Sequence, residues 1–495
     1  MHRREFLWGI GGSLACGASS LSRLGAMVPA LAGEEPVTPD MVRFGPDMEP
    51  VVRWIESTPR ERILEAAVDA LRSGLSYRRF LGGLFLAGIR NIKPRPVGFK
   101  FHAVMVIESA HQLSLDAPPP DRLVPLFWAL DNFKASQEAD VREGDWALPP
   151  VKESALPPAG KARQAFIEAM DRWDAEAADV AIAALCRAEE PSEVMEVLWP
   201  LGARDWENIG HKIIFTAHAA RTLETIGWQH AEPVLRSLVY GLLTGGPDDS
   251  FAPYAENRAI AARVRPDWAA GRRDRGASVA LLETLRQGNA KDAATAVAEA
   301  LGKGVAPASL WDGILLAGSE LCLKQPGIVA LHSITAANSL HHAYRASASA
   351  STRLLALLQA ASWTTFYREG IRSRQGSVPD TPRIDRLEPD GAPLPPEQIF
   401  EKLGGDVVAS ARKVLAHPEW ISDPAPFTST ARGLVLRKGN DSHDYKFAAA
   451  AFEEAARATP EWRGQILAAS VAHLKSTSDP DSKLIERARA ALVSF

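Results

Sequence analysis

The chain has 495 residues, of which 46% are hydrophobic and 23% are charged, and its formal net charge is −4. This balance is ordinary for a folded soluble protein, and it excludes wholesale disorder, a collagen-like chain and a polytopic membrane protein. No basic tract stands out, so a nucleic-acid partner has no electrostatic support. Only three cysteines are present, which excludes a disulfide framework and a zinc cluster built from thiolates.

The first 32 residues are similar to a twin-arginine export signal. The pair Arg3 and Arg4 precedes an apolar, glycine-containing stretch, and small residues follow up to Ala30-Leu31-Ala32. The apolar stretch is too short and too rich in glycine for a membrane anchor. We therefore expect a signal peptide at 1–32, cleavage after Ala32, no stable membrane span afterwards, and a periplasmic or extracellular protein.

This resemblance also implies a protein that folds before it is exported. Many proteins with such signals bind a metal or an organic cofactor in the cytoplasm, which favours a cofactor-containing protein. Removal of the signal would also remove Cys16 and leave Cys186 and Cys322. These two cysteines could pair in an oxidising compartment, or they could be buried free thiols.

Helical periodicity dominates the rest of the chain. Residues 60–71 place apolar side chains at i, i+3, i+4 and i+7, the pattern of one buried helix face. No pair of alternating β-branched segments is joined by an Asn-Gly or Asp-Gly turn, so a β-hairpin is not indicated. We expect an all-α protein. Similar helical patterns occur at 163–188, 231–243, 278–301, 353–366 and 446–474.

The longest interruption of this pattern is the proline-rich segment 371–396. Proline has no backbone N–H, so a segment with many prolines does not form a continuous helix. We expect an irregular linker at 371–396. It would separate helical units one to three, at 33–370, from a fourth helical unit at 397–495.

Four segments of the chain share one layout: a helix, a turn, a second apolar helix, a loop, and a helix with histidine near its start. The leading histidines are separated by 109, 121 and 111 residues. A chain this long is also too long for one ordinary compact domain unless it is built from repeats. The pattern predicts a helical-repeat array or a closed α/α ring of about four related units, although a shared composition alone could make helical segments look alike. The four histidines are His102, His211, His332 and His443.

If the four units close around an axis, these histidines would face one another and could bind a metal. Neutral imidazole is a ligand for zinc, copper, iron and nickel. The expected cofactor is a transition metal: iron, copper or zinc. A substrate would need one open coordination position.

A second layer of functional residues is expected about two helical turns further on. His218 follows His211 by seven residues and therefore lies on nearly the same helix face. Glu108 and Asn338 each follow a leading histidine by six residues, and either could orient an imidazole. We predict His218 and Glu108 as catalytic residues that handle protons. The alternative is that each histidine is structural, since a single histidine near a helix start is more often structural than a ligand.

Other common catalytic motifs are absent from the sequence. There is no phosphate-binding G-x-x-x-x-G-K-[ST] loop, no dinucleotide-binding glycine pattern after a strand, and no G-x-S-x-G element.

The segments Gly210-His211-Lys212-Ile213-Ile214 and Leu331-His332-Ser333-Ile334-Thr335-Ala336-Ala337 resemble the histidine-bearing helices of the questin oxidase-like family. This resemblance implies a helical protein and an oxidative, Baeyer–Villiger-type ring opening of aromatic polyketides. It also implies a site lined by His211 and His332, with a small-molecule substrate that is aromatic in that family.

Three functions remain open from the sequence. The first is an exported, metal-dependent oxidoreductase with a central site lined by histidines. The second is a metal-dependent hydrolase that uses the same site and a metal-bound water as nucleophile. The third is a non-enzymatic helical-repeat protein whose concave face binds a partner.

Overall fold

The computed structural model describes residues 41–246 and 252–493, apart from positions 402 and 404. These residues form 22 α-helices and no β-strand, which confirms the predicted all-α class. The predicted signal peptide at 1–32 lies outside the described residues. The helices are α1 (Glu49–Ser57), α2 (Ile63–Arg72), α3 (Tyr77–Asn91), α4 (His102–Leu115), α5 (Val124–Arg142), α6 (Ala162–Asp171), α7 (Ala175–Ala188), α8 (Pro191–Gly202), α9 (Glu207–Ile226), α10 (Ala231–Leu242), α11 (Ala252–Ala261), α12 (Arg275–Gln287), α13 (Ala290–Gly302), α14 (Pro307–Lys324), α15 (Ile328–Ala346), α16 (Ala350–Gln375), α17 (Pro396–Glu401), α18 (Val407–Leu415), α19 (Ala425–Lys438), α20 (Ser442–Arg457), α21 (Pro460–Ala469) and α22 (Lys483–Val493).

Local sequence explains where several of these helices begin. Helix α13 starts after Asn289, whose side chain accepts hydrogen bonds from the backbone N–H groups of Lys291 and Asp292 in a capping box. Helices α8, α14 and α21 have proline as their first residue, where the missing N–H costs no hydrogen bond. These starts are therefore set by residues close in sequence.

The four helices that carry the leading histidines lie at the centre of the fold. Helix α4 packs against α9 and α20, and α15 packs against the same two helices, so the four contacts form a closed circuit. Each of the four histidines is among the first five residues of its helix. The amino-terminal ends of α4, α9, α15 and α20 therefore meet at one end of the bundle. Whether the surrounding units are copies of one repeat stays a prediction.

The central helices are surrounded by a further layer. Helices α3 and α5 pack on α4, helices α8 and α10 pack on α9, helices α14 and α16 pack on α15, and α21 packs on α20. The central helices are consequently buried over most of their length, including their polar residues. Polar groups in such a position need partners, because an unpaired buried polar group costs free energy.

The irregular segment before the last unit begins later than the predicted position 371. Helix α16 continues to Gln375, and it ends at Gly376, which has a left-handed φ of +82°. The first proline of the segment is Pro379, so nothing before Gly376 prevents the helix from continuing. Between Gly376 and α17 the chain has only the 3₁₀ turn Ile384–Arg386.

Cys186 and Cys322 are free thiols, so the alternative that they pair is not realised in this structure. Cys322 is buried, and its Sγ donates to the carbonyl oxygen of Ala330 at 3.4 Å. Among the described helices, none combines the length and the apolar character needed to cross a bilayer.

Candidate metal centre

The four leading histidines come together in the structure. One ring nitrogen from each of His102, His211, His332 and His443 lies within 4.8 Å of the others. The Nε2 atoms of His102 and His211 are 2.9 Å apart, and those of His211 and His332 are 3.1 Å apart. The ring of His443 completes the group, with centroids 4.6 Å from His102 and 5.1 Å from His332. The convergence predicted from the spacing of the histidines is therefore present.

Three of the imidazoles are held in the same way by the backbone. The Nδ1 atom of His102 donates to the carbonyl oxygen of Phe99 at 2.7 Å, and Nδ1 of His332 donates to that of Ile328 at 2.6 Å. The Nδ1 atom of His211 donates to the carbonyl oxygen of Asn208. A carbonyl oxygen only accepts hydrogen bonds, so the proton of each neutral ring is on Nδ1. The Nε2 lone pairs are consequently free to bind a metal.

Two of these carbonyl groups are directed by residues with unusual backbone conformations. Phe99 and Asn208 both have left-handed φ angles, of +47° and +52°. Such angles are sterically unfavourable for residues other than glycine, and they concentrate at functional sites. The first turn of α9, where Asn208, Ile209 and Gly210 have non-helical φ and ψ angles, is further held by Tyr367, whose hydroxyl donates to the carbonyl oxygen of Ile209 at 2.9 Å. Gly210 lies against the Tyr367 hydroxyl group, since an added Cβ would be 2.8 Å from the hydroxyl oxygen.

The fourth imidazole is held by a carboxylate. The Nδ1 atom of His443 donates to Oδ1 of Asp441 at 2.5 Å. The Nε2 atom of His443 is buried and has no hydrogen-bond partner among the described residues. A ring whose proton is on Nδ1 alone presents its Nε2 lone pair to the same cluster as the other three.

Burial keeps three of the four imidazoles neutral. It is the largest cause that lowers the pKa of His102, His211 and His332 well below the ordinary value, and the charge of Lys446 adds to it in all three. Neutral imidazole is the form that binds metals. These three rings are therefore in the form that can bind a metal.

Two of the nitrogen–nitrogen separations in the cluster suit a single metal ion, and all four ligand atoms lie within 4.8 Å of one another. A metal at about 2.0–2.1 Å from four nitrogens in a tetrahedron separates neighbouring nitrogens by about 3.3 Å. The observed Nε2 separations of 2.9 and 3.1 Å are within a few tenths of an ångström of that value. Two unprotonated nitrogens at this distance repel each other unless a cation lies between them. The four histidines therefore form a site that could hold a metal ion.

The cluster is reachable from one side. His211 and His332 are buried, whereas the side chain of His443 is 19% exposed and His102 is partly exposed. Access to a bound metal would therefore be along the side of His102 and His443.

Lys446 is a residue of this centre that the sequence analysis did not single out. It lies one helical turn after His443 on α20, it is buried, and its Nζ has no partner among the described residues. Burial lowers the pKa of Lys446 to about 7. The only signal in the sequence was its i+3 spacing from His443, which places the two residues on one helix face.

The two predicted catalytic residues lie deeper between α4 and α9. The Nδ1 atom of His218 donates to the carbonyl oxygen of Met105 at 2.6 Å. Glu108 accepts a hydrogen bond from Gln112 at 2.9 Å and one from Thr222 at 3.5 Å. Burial raises the pKa of Glu108 to about 7 and lowers that of His218 to about 3. Their positions in the interior agree with the predicted second layer, and their catalytic role stays a prediction.

The predicted orienting role of Asn338 and Glu108 is wrong. Asn338 donates to Glu453 at 2.7 Å and to Glu454 at 2.8 Å, and the partners of Glu108 are Gln112 and Thr222. A residue six positions along a helix is about 9 Å from the ring it was expected to orient, so the carbonyl groups three or four residues before each histidine are nearer. Asp441 could have been found, because an acidic residue two before His443 at a helix start is typical of an N-cap.

Comparison with known proteins does not assign this centre to a family. No family model matches the chain, and the searches of curated proteins and of solved structures also found no match.

Proposed function

We propose that the protein is a metal-dependent oxidoreductase whose metal is held by His102, His211, His332 and His443. The observation that carries the proposal is the convergence of four imidazoles from four separate helices, three of them with Nδ1 held by a backbone carbonyl group. Building such a site costs free energy, because it buries polar side chains and places Phe99, Asn208 and Ile209 in left-handed conformations. That cost is consistent with a functional role.

The number of ligands favours redox chemistry over hydrolysis. Catalytic zinc sites use three protein ligands and keep the fourth position for water, and four imidazoles would fill a tetrahedral zinc ion. Iron and copper accept more than four ligands or a flatter geometry, so they keep open positions beside four histidines. Of the expected metals, we therefore favour iron or copper over zinc.

The chain also offers groups that could handle protons about two helical turns from such a metal. Glu108 has a pKa of about 7 and can hold or release a proton near neutral pH. His218 lies seven residues after His211, about 10 Å along the same helix. We propose that these two residues supply or receive protons during the reaction.

We propose that the substrate is a small molecule. The resemblance of two histidine-bearing helices to the questin oxidase-like family supports an aromatic substrate. Export by the twin-arginine route, and hence a periplasmic or extracellular location, is part of the same proposal. It rests on the sequence of residues 1–32 alone.

The experiment that tests this function is metal analysis of protein folded in its native host, followed by spectroscopy. We expect about one iron or copper per chain, with an absorption spectrum that changes on addition of a reductant. Replacement of His211 by Ala should remove most of the metal and leave the helical circular dichroism signal nearly unchanged.

A suitable control is His230→Ala, since His230 is a buried histidine outside the cluster. This variant should retain the metal. A colourless protein with one zinc per chain would contradict the redox function and favour hydrolysis. A wild-type protein without metal would contradict both.

A further inference from the structure

The four imidazoles of the cluster are not held equally. His102, His211 and His332 donate from Nδ1 to neutral backbone carbonyl groups, whereas His443 donates to the carboxylate of Asp441. A hydrogen bond to a charged acceptor is stronger than one to a neutral acceptor. The centre therefore has one ligand whose surroundings differ electronically from those of the other three.

The position of Asp441 is set by the start of α20. Asp441 is the N-cap of this helix, and its Oδ1 accepts from the backbone N–H of His443 at 2.8 Å as well as from the ring Nδ1 at 2.5 Å. Asp444 completes a capping box by accepting from the backbone N–H of Asp441 at 3.1 Å, and it also pairs with Lys475 at 2.9 Å. The carboxylate is thus fixed by the helix start although its side chain is 62% exposed.

A carboxylate behind a ligating histidine makes the imidazole a better electron donor. The partial negative charge that the hydrogen bond places on the ring strengthens its bond to a metal, and it stabilises the more oxidised state of that metal. Carbonyl groups behind the other three rings have a smaller effect, because they carry no net charge.

We propose that Asp441 is a positioning residue that makes His443 the strongest electron donor of the four ligands. This inference rests on the proposed metal centre. One residue of a helix cap would then control the reduction potential of the metal.

The test is the variant Asp441→Asn in the full-length chain. Asparagine is as good an N-cap as aspartate and keeps an oxygen that accepts from His443, so the variant removes the charge and little else. The matched control is Asp406→Asn, because Asp406 is the N-cap of α18 and accepts from Val408 and Ala409.

Two measurements follow on chelator-treated protein. With cobalt(II) as the probe, we expect Asp441→Asn to bind about tenfold more weakly than wild type, with its ligand-field absorption bands at longer wavelength. With copper as the probe, we expect a more positive reduction potential. Asp406→Asn should match wild type in all three properties.

The outcomes separate this inference from the proposed metal centre. If wild type binds cobalt(II) and loses it in His211→Ala, but Asp441→Asn has unchanged affinity, spectrum and potential, the role of Asp441 is refuted and the centre stands. If wild type binds no metal, the centre itself is refuted. Should Asp441→Asn not fold, Asp441→Ser keeps a helix cap without the carboxylate, and it should show the same changes.

Discussion

The Nε2 atoms of His102 and His211 lie 2.9 Å apart, although 109 residues separate the two histidines in the chain. Both rings donate from Nδ1 to a backbone carbonyl group, so neither neutral ring has a proton to share between the two Nε2 atoms. The two Nε2 lone pairs therefore repel each other. A cation bound between them would remove this repulsion and connect helices that are distant in sequence.

Removal of the metal should therefore destabilise the whole fold. A ligand that binds only the folded state at 1,000 times its Kd contributes about 4 kcal/mol to the free energy of unfolding. We expect a chelator to lower the Tm of wild-type protein by several degrees in a thermal unfolding measurement. The Tm of His211→Ala should not respond to the chelator, and an equal response of both proteins would contradict a site at this position.

Phe99→Gly should stabilise the protein without loss of metal. Phe99 has a φ of +47° and a ring that is 74% exposed, so glycine relieves backbone strain and little buried area is lost. The strain of about 1–2 kcal/mol is partly offset by the greater flexibility of glycine in the unfolded chain, which leaves a gain of up to about 1 kcal/mol. Urea unfolding measures the gain in stability, and metal analysis measures whether the metal is retained.

Phe99→Ala is the matched comparison, because it removes the same ring but retains the unfavourable conformation. It should give no gain in stability. A gain equal to that of Phe99→Gly would show that the ring, and not the backbone angle, is the unfavourable feature.

Glu108→Gln should change how stability depends on pH. The folded-state pKa of Glu108 is about 7, raised from an ordinary value of 4.5, because its burial disfavours the charged form. Between these two values the folded state binds more protons than the unfolded state, so wild-type stability falls as the pH rises through this window. The loss is roughly 3 kcal/mol by pH 8, and glutamine removes it because it does not ionise.

The measurement is the free energy of unfolding of both proteins at pH 5 and at pH 8. Relative to wild type, Glu108→Gln should be more stable at pH 8 than at pH 5. Glu299 is exposed, and Glu299→Gln should show no such difference. A parallel pH dependence of wild type and Glu108→Gln would refute the raised pKa.

Glu454→Gln should have the opposite pH dependence. Burial alone would raise the pKa of Glu454, but the charge and the hydrogen bond of His341, at 2.6 Å, outweigh it and lower the pKa to about 2. The stability that this carboxylate contributes is therefore present above pH 4.5 and is lost as the pH falls towards 2. We expect Glu454→Gln to be less stable than wild type by roughly 3 kcal/mol at pH 7, with a smaller difference at pH 3. Denaturant unfolding at pH 7 and at pH 3 would measure the difference in stability between the two proteins. An equal loss of stability at both pH values would contradict an ion pair between Glu454 and His341.

Much of the candidate site was accessible from the sequence because it depends on local patterns. Helical periodicity predicts the all-α class, and the recurrence of a loop followed by histidine at a helix start singles out His102, His211, His332 and His443. Both signals involve residues within one or two helical turns of each other, where the side-chain direction follows directly from the backbone. The capping residue Asp441 belongs to the same class of local signal.

Other features depend on which helices are neighbours. Asn338 has the spacing of a residue that could orient an imidazole, but the packing of α15 on α20 places it against Glu453 and Glu454. Lys446 becomes part of the centre because α4 and α15 pack against α20. A helical period indicates which face of a helix is buried, but it does not indicate which helix covers that face. That choice depends on packing between segments more than 100 residues apart, and so only the tertiary structure decided it.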